Sequence, residues 1–321
     1  MAGRQSVKVG ILERQFSHQY YRRRHLRQVQ GVAPWPHGKL TAVNTSLSRY
    51  DAMADKAAAQ VIARYSTSFS LATKALARPE RTHVRNLYAV VRIADEIVDG
   101  AAEQANECPE TALDLYEEQV LHAPRHRFHT DPVLHAWART HRACNIDNSH
   151  MEAFFASMRA DLTQTEFTPE ELDTYIYGSA EVIGLMCLDI FMRDRASADR
   201  RVLEDGARAL GSAFQKVNFL RDLGEDRRAL GRAYFGTQLD DDLKLSLTNG
   251  ITAELDRAQQ AIALLPRSVR GGVAAAEALY RELNSKIATT PAAQLQTTRI
   301  GVPNHRKLWL TARAMKKATT A

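Results

Sequence analysis

Cysteine is scarce in this 321-residue chain. The three present, Cys108, Cys144 and Cys187, are widely spaced and form no Cys-x-x-Cys. That excludes a disulfide framework or a cysteine zinc site and suits a reducing, cytoplasmic compartment. Glycine (16) and proline (10) are too few for a low-complexity linker, and no internal repeat divides the chain. No apolar run reaches the roughly 18 residues of a membrane-spanning helix, and no apolar segment follows the start as in a secretory signal. Period-two alternation is missing too, which leaves no credible run of strands. His122, His126 and His129 have tempting metal spacing, but Pro124 interrupts the helix they would need, so they read as a solvated loop.

Acid is nearly absent from the first forty residues, which hold eight Lys and Arg against one Glu. The rest carries 35 basic and 36 acidic residues, so the net +6 belongs to the arm and the body is neutral. A basic arm suits an anionic membrane surface or nucleic acid, and its composition also resembles a transit peptide. We read residues 1–48 as a disordered basic extension without a nucleic-acid role, leave a peripheral membrane contact open, and take residues 49–321 as one domain.

Helical periodicity fills that domain. It predicts helices over residues 49–64, 81–99, 109–122, 131–144, 147–165, 172–191 (interrupted at Gly178 and Gly184), 199–230, 252–265, 272–288 and 303–317, with a loop over 231–250. Met151, Phe154, Phe155 and Met158 share one helical face and read as core.

Two of these helices carry polar stripes. Gln215, Asn218, Asp222 and Asp226 are spaced 3, 4 and 4, so they lie on one helical face, with Val217, Phe219, Leu220 and Leu223 left for packing. Tyr88, Arg92, Asp95 and Asp99 are spaced 4, 3 and 4 on another largely apolar helix. A lone Asp-x-x-x-Asp is usually a solvated face. Two of them, each extended by further polar residues, form an all-oxygen donor set of the kind that holds Mg²⁺ or Mn²⁺, and Mg²⁺ commonly shares such carboxylates with substrate phosphates.

With these stripes in place, the sequence resembles the squalene/phytoene synthase family of head-to-head prenyl synthases. The matching segments are Tyr65–Ser70, Asn86–Asp99, Tyr175–Gly184 and Gln215–Phe235, in the family's order. The resemblance implies an all-α, single-domain isoprenoid synthase (class I terpenoid synthase) bundle with a central cavity, acting on prenyl diphosphates. It implies Asp95, Asp99, Asp222 and Asp226 as the metal–diphosphate aspartates, with Asn218 joining the metal set. Tyr175 is implied near the reacting carbons, with Tyr177 as a neighbouring candidate. Diphosphate contacts are implied for Ser66, Ser68, Phe69, Tyr88, Arg92, Gln215, Asn218, Arg221, Arg232, Tyr234 and Tyr280. The cofactor expected is Mg²⁺ (or Mn²⁺), without NADPH. Within the family the motifs look most like phytoene synthase, using two C20 geranylgeranyl diphosphates. The alternatives are a C15 enzyme making squalene, dehydrosqualene or presqualene diphosphate, and a non-catalytic prenyl-lipid-binding relative. Glu181 stands where the family usually has glycine, which is expected to alter helix packing there.

Overall fold

A computed structural model describes residues 45–229, 234–235 and 239–320, without the side chains of Ser68, residues 225–229 and residues 319–320. The basic arm, Arg232 and the side chains of Ser68 and Asp226 therefore lie outside the described residues.

The described chain is helical, with no extended strand. Its main helices are α1 (Ser46–Tyr65), α2 (Thr67–Lys74), α3 (Arg78–Glu96), α4 (Pro109–His122), α5 (Pro132–Cys144) and α6 (Asn148–Thr163). There follow α7 (Pro169–Ile176), α8 (Val182–Met192), α9 (Arg200–Ala229), α10 (Asp241–Leu264), α11 (Arg267–Thr289) and α12 (Asn304–Thr320). Their starts are set by local chemistry. Pro79, Pro109, Pro132 and Pro169 occupy first-turn positions, where no N–H is needed. Thr168 and Glu171 form a reciprocal capping box at α7.

The two largest of four apolar clusters build most of the bundle. One joins α1 and α3–α6 to α8 around Leu87, Trp137, Phe154, Phe155 and Met186. The other joins α9, α10 and α11 around Val217, Leu220, Leu255, Tyr280 and Ile287. The predicted face of Met151, Phe154, Phe155 and Met158 is core. Burial pushes the thiols of Cys144 and Cys187 up to about 12, which leaves both unreactive at neutral pH.

Two expectations need correction. The segment expected to loop to residue 250 is already helical from Asp241, because Asp240 caps it by accepting the Leu243 N–H at 2.8 Å, with two acids in the first turn. Gly250 sits within that helix with open space beside it. The expected interruption falls at Gly178, where α7 passes through a π-helical turn (Tyr177–Glu181) into α8, and is absent at Gly184. Those glycines answer to neighbours instead: a Cβ at Gly178 would lie 2.3 Å from the Ala153 carbonyl oxygen, and one at Gly184 2.3 Å from that of Ala207. The continuous Pro169–Met192 segment is also long and apolar enough to cross a membrane, although the sequence showed no unbroken apolar run; a little over half of its apolar window is buried within the bundle.

Glu181, where the family usually has glycine, closes the π-helical turn. It reaches Arg208 at 2.7 Å, while Gly184 and Gly211 hold α8 and the π-helical turn close against α9.

Candidate active site

Six residues of the two polar stripes line one cavity; Tyr88 does not, and the side chain of Asp226 lies outside the described residues. The cavity has a volume of about 260 Å³, and its walls include Arg92, Asp95 and Asp99 from the α3 segment, and Gln215, Asn218, Arg221 and Asp222 from α9. Asp161 of α6, Tyr175 of α7 and Tyr234 complete the polar lining. The α-helical spacing assumed for Asp95 and Asp99 holds only in part. After Glu96 the helix widens into a π-helical turn (Ile97–Ala101), with Gly100 in the left-handed region at φ 114°. Glycine occupies that backbone without a Cβ penalty. Asp99 still faces the cavity from this wider turn.

Guanidinium groups hold the carboxylates. Arg92 lies 3.7 Å from Asp95 and 3.8 Å from Asp99 and hydrogen-bonds Glu96, while its own guanidinium sits 4.6 Å from the Tyr65 ring centre. Arg221 pairs with Asp222 in a two-pronged contact, one arm at 2.9 Å. Arg299, which the sequence did not single out, approaches Asp222 at 2.8 Å from the loop before α12.

Asp95 records the resulting tension. Burial is the main cause, and Asp99, Asp161 and Glu96 add to it; against the pull of Arg92 they raise its carboxyl to about 8. Crowded, oxygen-only donors of this kind call for added cations. Among the described residues no three Asp, Glu, His or Cys side chains gather as a complete metal site. The donors nonetheless fit Mg²⁺ or Mn²⁺ shared with a phosphate-bearing ligand, because such ions use one or two carboxylates and take the rest from substrate and water.

Beside this cavity lies a second, of about 310 Å³, walled by apolar side chains such as Leu76, Val84, Leu188, Phe191, Leu203 and Ile262. Val91, Asp95, Ser179, Gln215 and Asn218 line both, so the cavities meet at a seam. The Ser179 hydroxyl is buried there without a protein hydrogen-bond partner.

Aromatic rings frame the seam. Phe69 lies 6.3 Å from Tyr88 and 5.9 Å from Tyr280, and Tyr280 stacks on Phe214 at 3.8 Å. The Tyr280 hydroxyl donates to Asn218 Oδ1 at 3.3 Å, and burial raises its phenol pKa. Burial likewise pushes the Tyr88 phenol up to about 12. On the other side Tyr234 stacks on Phe219 at 3.8 Å, with Phe167 and Tyr175 beside it. The Tyr175 hydroxyl donates to both oxygens of Asp161, at 2.8 and 3.0 Å.

Most expected residues thus converge. Ser66 lines neither cavity; its hydroxyl accepts the Phe69 N–H at 3.1 Å and caps α2, which orients Phe69. Of the two tyrosine candidates, Tyr175 lines the polar cavity, while Arg208 lies over the ring of Tyr177. The histidines show no metal grouping: His129 Nε2 lies 2.9 Å from the Ala123 carbonyl oxygen. Asp161, Phe167, Ser179, Phe214 and Arg299 were missed. Asp161 had a signal, three residues beyond Met158 on the predicted α6 face.

The squalene/phytoene synthase family model matches residues 62–249. The 15-cis-phytoene synthase of Synechococcus elongatus is 31% identical over 289 residues, covering 81% of this chain and 92% of that protein. Phytoene synthase 1 of maize, a chloroplastic protein, is 32% identical over 177 residues, covering 54% of this chain and 42% of that protein. The match thus spans less than half of the maize relative. A crystal structure of a dehydrosqualene synthase in complex with ligand has the same all-α isoprenoid synthase fold. Its TM-score is 0.71 at 21% identity, over 86% of this chain and 100% of that one.

Proposed function

Because the chain belongs to the squalene/phytoene synthase family, we propose that it joins two geranylgeranyl diphosphates head to head, through prephytoene diphosphate, to phytoene. The observation that carries this reading is the seam between the two cavities. A prenyl diphosphate is divided in the same way, into a multiply charged head and a long apolar tail, with the reacting carbon at the junction. The C20 choice rests on the phytoene synthase relatives rather than on cavity size.

In this reading Asp95, Asp99, Asn218, Asp222 and Asp226 hold Mg²⁺ or Mn²⁺ with the diphosphate. When bound, the metal supplies neutralisation of the leaving group. Arg92 and Arg221 present planar forks suited to phosphate oxygens. Gln215 and Ser68 contact the same head group, and Arg232 and Tyr234 cover it. Phe69, Tyr88 and Tyr280 form the aromatic wall at the reacting carbons, and the apolar cavity keeps water from the allylic cation. Tyr175, oriented by Asp161, lies at the polar end. The cation is captured by the second substrate's double bond, and the resulting cation loses a proton as the ring closes to give a cyclopropylcarbinyl diphosphate. That intermediate ionises, rearranges and loses a proton, so no hydride donor is needed and NADPH is not expected. In this reading residues 49–321 carry the activity, in the cytoplasm.

The test is a product assay: purified protein and Mg²⁺ with C15 or C20 prenyl diphosphate, with and without NADPH, and the extract analysed by mass. A C40 hydrocarbon from C20 without NADPH is expected. A C30 product from C15 alone overturns the chain length and keeps the aspartate roles. No product from either overturns the enzymatic reading.

Metal loading should also release protons. The Asp95 carboxyl, raised by burial and its acidic neighbours to about 8, is largely protonated at pH 7 without metal. Its shift favours the fold fully below about pH 4, and that contribution is lost as pH rises through about 8. Binding of Mg²⁺ and inorganic diphosphate at pH 7 should therefore release about one proton, and close to none at pH 9. Calorimetry in two buffers of unlike ionisation enthalpy measures this; identical heats at pH 7 contradict it.

A further inference from the structure

The proposed chemistry leaves one polar group at the seam without a task. Ser179 stands in the π-helical turn between α7 and α8 and lines both cavities. Its hydroxyl oxygen is sealed from water and has no hydrogen-bond partner among the described residues. The residue itself is half-buried, so what it shows to the cavities is not the hydroxyl. A helical serine commonly bonds the carbonyl four residues back. Here that carbonyl belongs to Tyr175, and it accepts the Ser157 hydroxyl at 3.2 Å instead. The neighbours across the seam are engaged elsewhere: Asn218 Oδ1 accepts from Tyr280 at 3.3 Å, and Asp95 lies 3.7 Å from Arg92.

A buried hydroxyl without a partner is disfavoured and calls for an explanation. Its place supplies one. A prenyl tail carries no acceptor, so the ligand oxygens that reach the seam belong to the diphosphate head. Nearest the tail is the oxygen bonded to the first prenyl carbon. We propose that Ser179 is a further catalytic residue. With substrate bound, its hydroxyl turns about the Cα–Cβ bond, from one staggered position to another, and donates a hydrogen bond to that bridging oxygen. As the allylic carbon–oxygen bond breaks, the electron pair stays on the oxygen and leaves with the diphosphate. The serine keeps its proton. Its hydrogen bond strengthens as negative charge grows, so it favours the transition state over the bound substrate. The inference rests on the prenyl diphosphate reading and deepens it at one residue; it holds for a C20 or a C15 tail alike.

Ser179→Ala and Ser179→Thr would be compared with the wild type in single-turnover experiments. Each is used as the full-length protein, with Mg²⁺ and whichever prenyl diphosphate the wild type consumes. The alanine variant should lower the rate about 10- to 100-fold, the range for losing a hydrogen bond to a charged group, with substrate affinity little changed. The threonine variant keeps the hydroxyl and should recover most of the rate. Without substrate the alanine variant should melt with the wild type or above it, because it removes an unpaired buried hydroxyl. An alanine variant as fast as the wild type overturns the proposal. So does an equal loss in both variants, or a loss that comes with a lower melting temperature, since either makes the effect one of packing. A normal rate with a changed share of hydroxylated product assigns the hydroxyl to a water molecule and overturns it as well. A wild type that consumes neither C20 nor C15 prenyl diphosphate refutes the prenyl synthase reading first, and this inference with it.

Discussion

Asp95→Asn should lower turnover on the order of a thousandfold, as expected when a group that stabilises developing charge is removed, while the melting temperature stays level or rises. The two halves of this result have one cause. Asp95 sits at the seam between the cavities, among Asp99, Asp161 and Glu96, and its ionised form is disfavoured there. An amide of the same shape removes that repulsion. Arg92 keeps Glu96 and Asp99 as partners, so no buried cation is left uncompensated. What the amide cannot do is bring negative charge to a metal–diphosphate group. A carboxylate kept at a cost to the metal-free fold marks a functional site. Steady-state turnover and a thermal melt at pH 8, where the charge matters most, decide the matter. Retained activity removes Asp95 from the metal set. Lost activity together with a collapsed melting temperature makes the residue structural.

Gly211→Val should lower the melting temperature by roughly 6–12 °C and abolish most activity. A Cβ at Gly211 would lie 2.4 Å from the carbonyl oxygen of Ala180 and 2.9 Å from its carbon, and neither backbone atom can rotate away. A Cβ at Gly184 would likewise lie 2.3 Å from the Ala207 carbonyl oxygen, so two glycines set the approach of the α7–α8 segment to α9. Overpacking such a contact costs ~3 kcal/mol, and each kcal/mol moves the melting temperature about 2–4 °C in a domain of this size. Activity should fall with it because Gln215 lies one turn along α9 from Gly211 and both line the apolar cavity. Forcing the helices apart displaces the seam. Differential scanning calorimetry gives the first number and the product assay the second. An unchanged melting temperature refutes the packing account.

The contrast between these two positions shows where sequence reasoning stopped. The polar face of α9 was legible because helical periodicity is local. Spacings of 3 and 4 place Gln215, Asn218 and Asp222 together whatever the rest of the chain does, and all three line the polar cavity. The same logic found Arg92 and Asp95. It described Asp99 only in part, because a π-helical turn depends on how a helix is packed and not on residue spacing. Gly184 looked like a helix break because glycine disfavours helix, but tertiary contact overrode that propensity.

Asp161 and Arg299 carry no motif of their own. They join the site because α6 and the loop before α12 fold back onto the residues that do. The sequence by itself determined most of the helices, which faces are polar and which family the chain resembles, since each of these depends on neighbours within one or two turns. Only the tertiary structure decided which carboxylates share a cavity, where the apolar wall begins and which tyrosine lines the polar cavity. Those depend on distances between segments far apart in the chain, and helical periodicity says nothing about them.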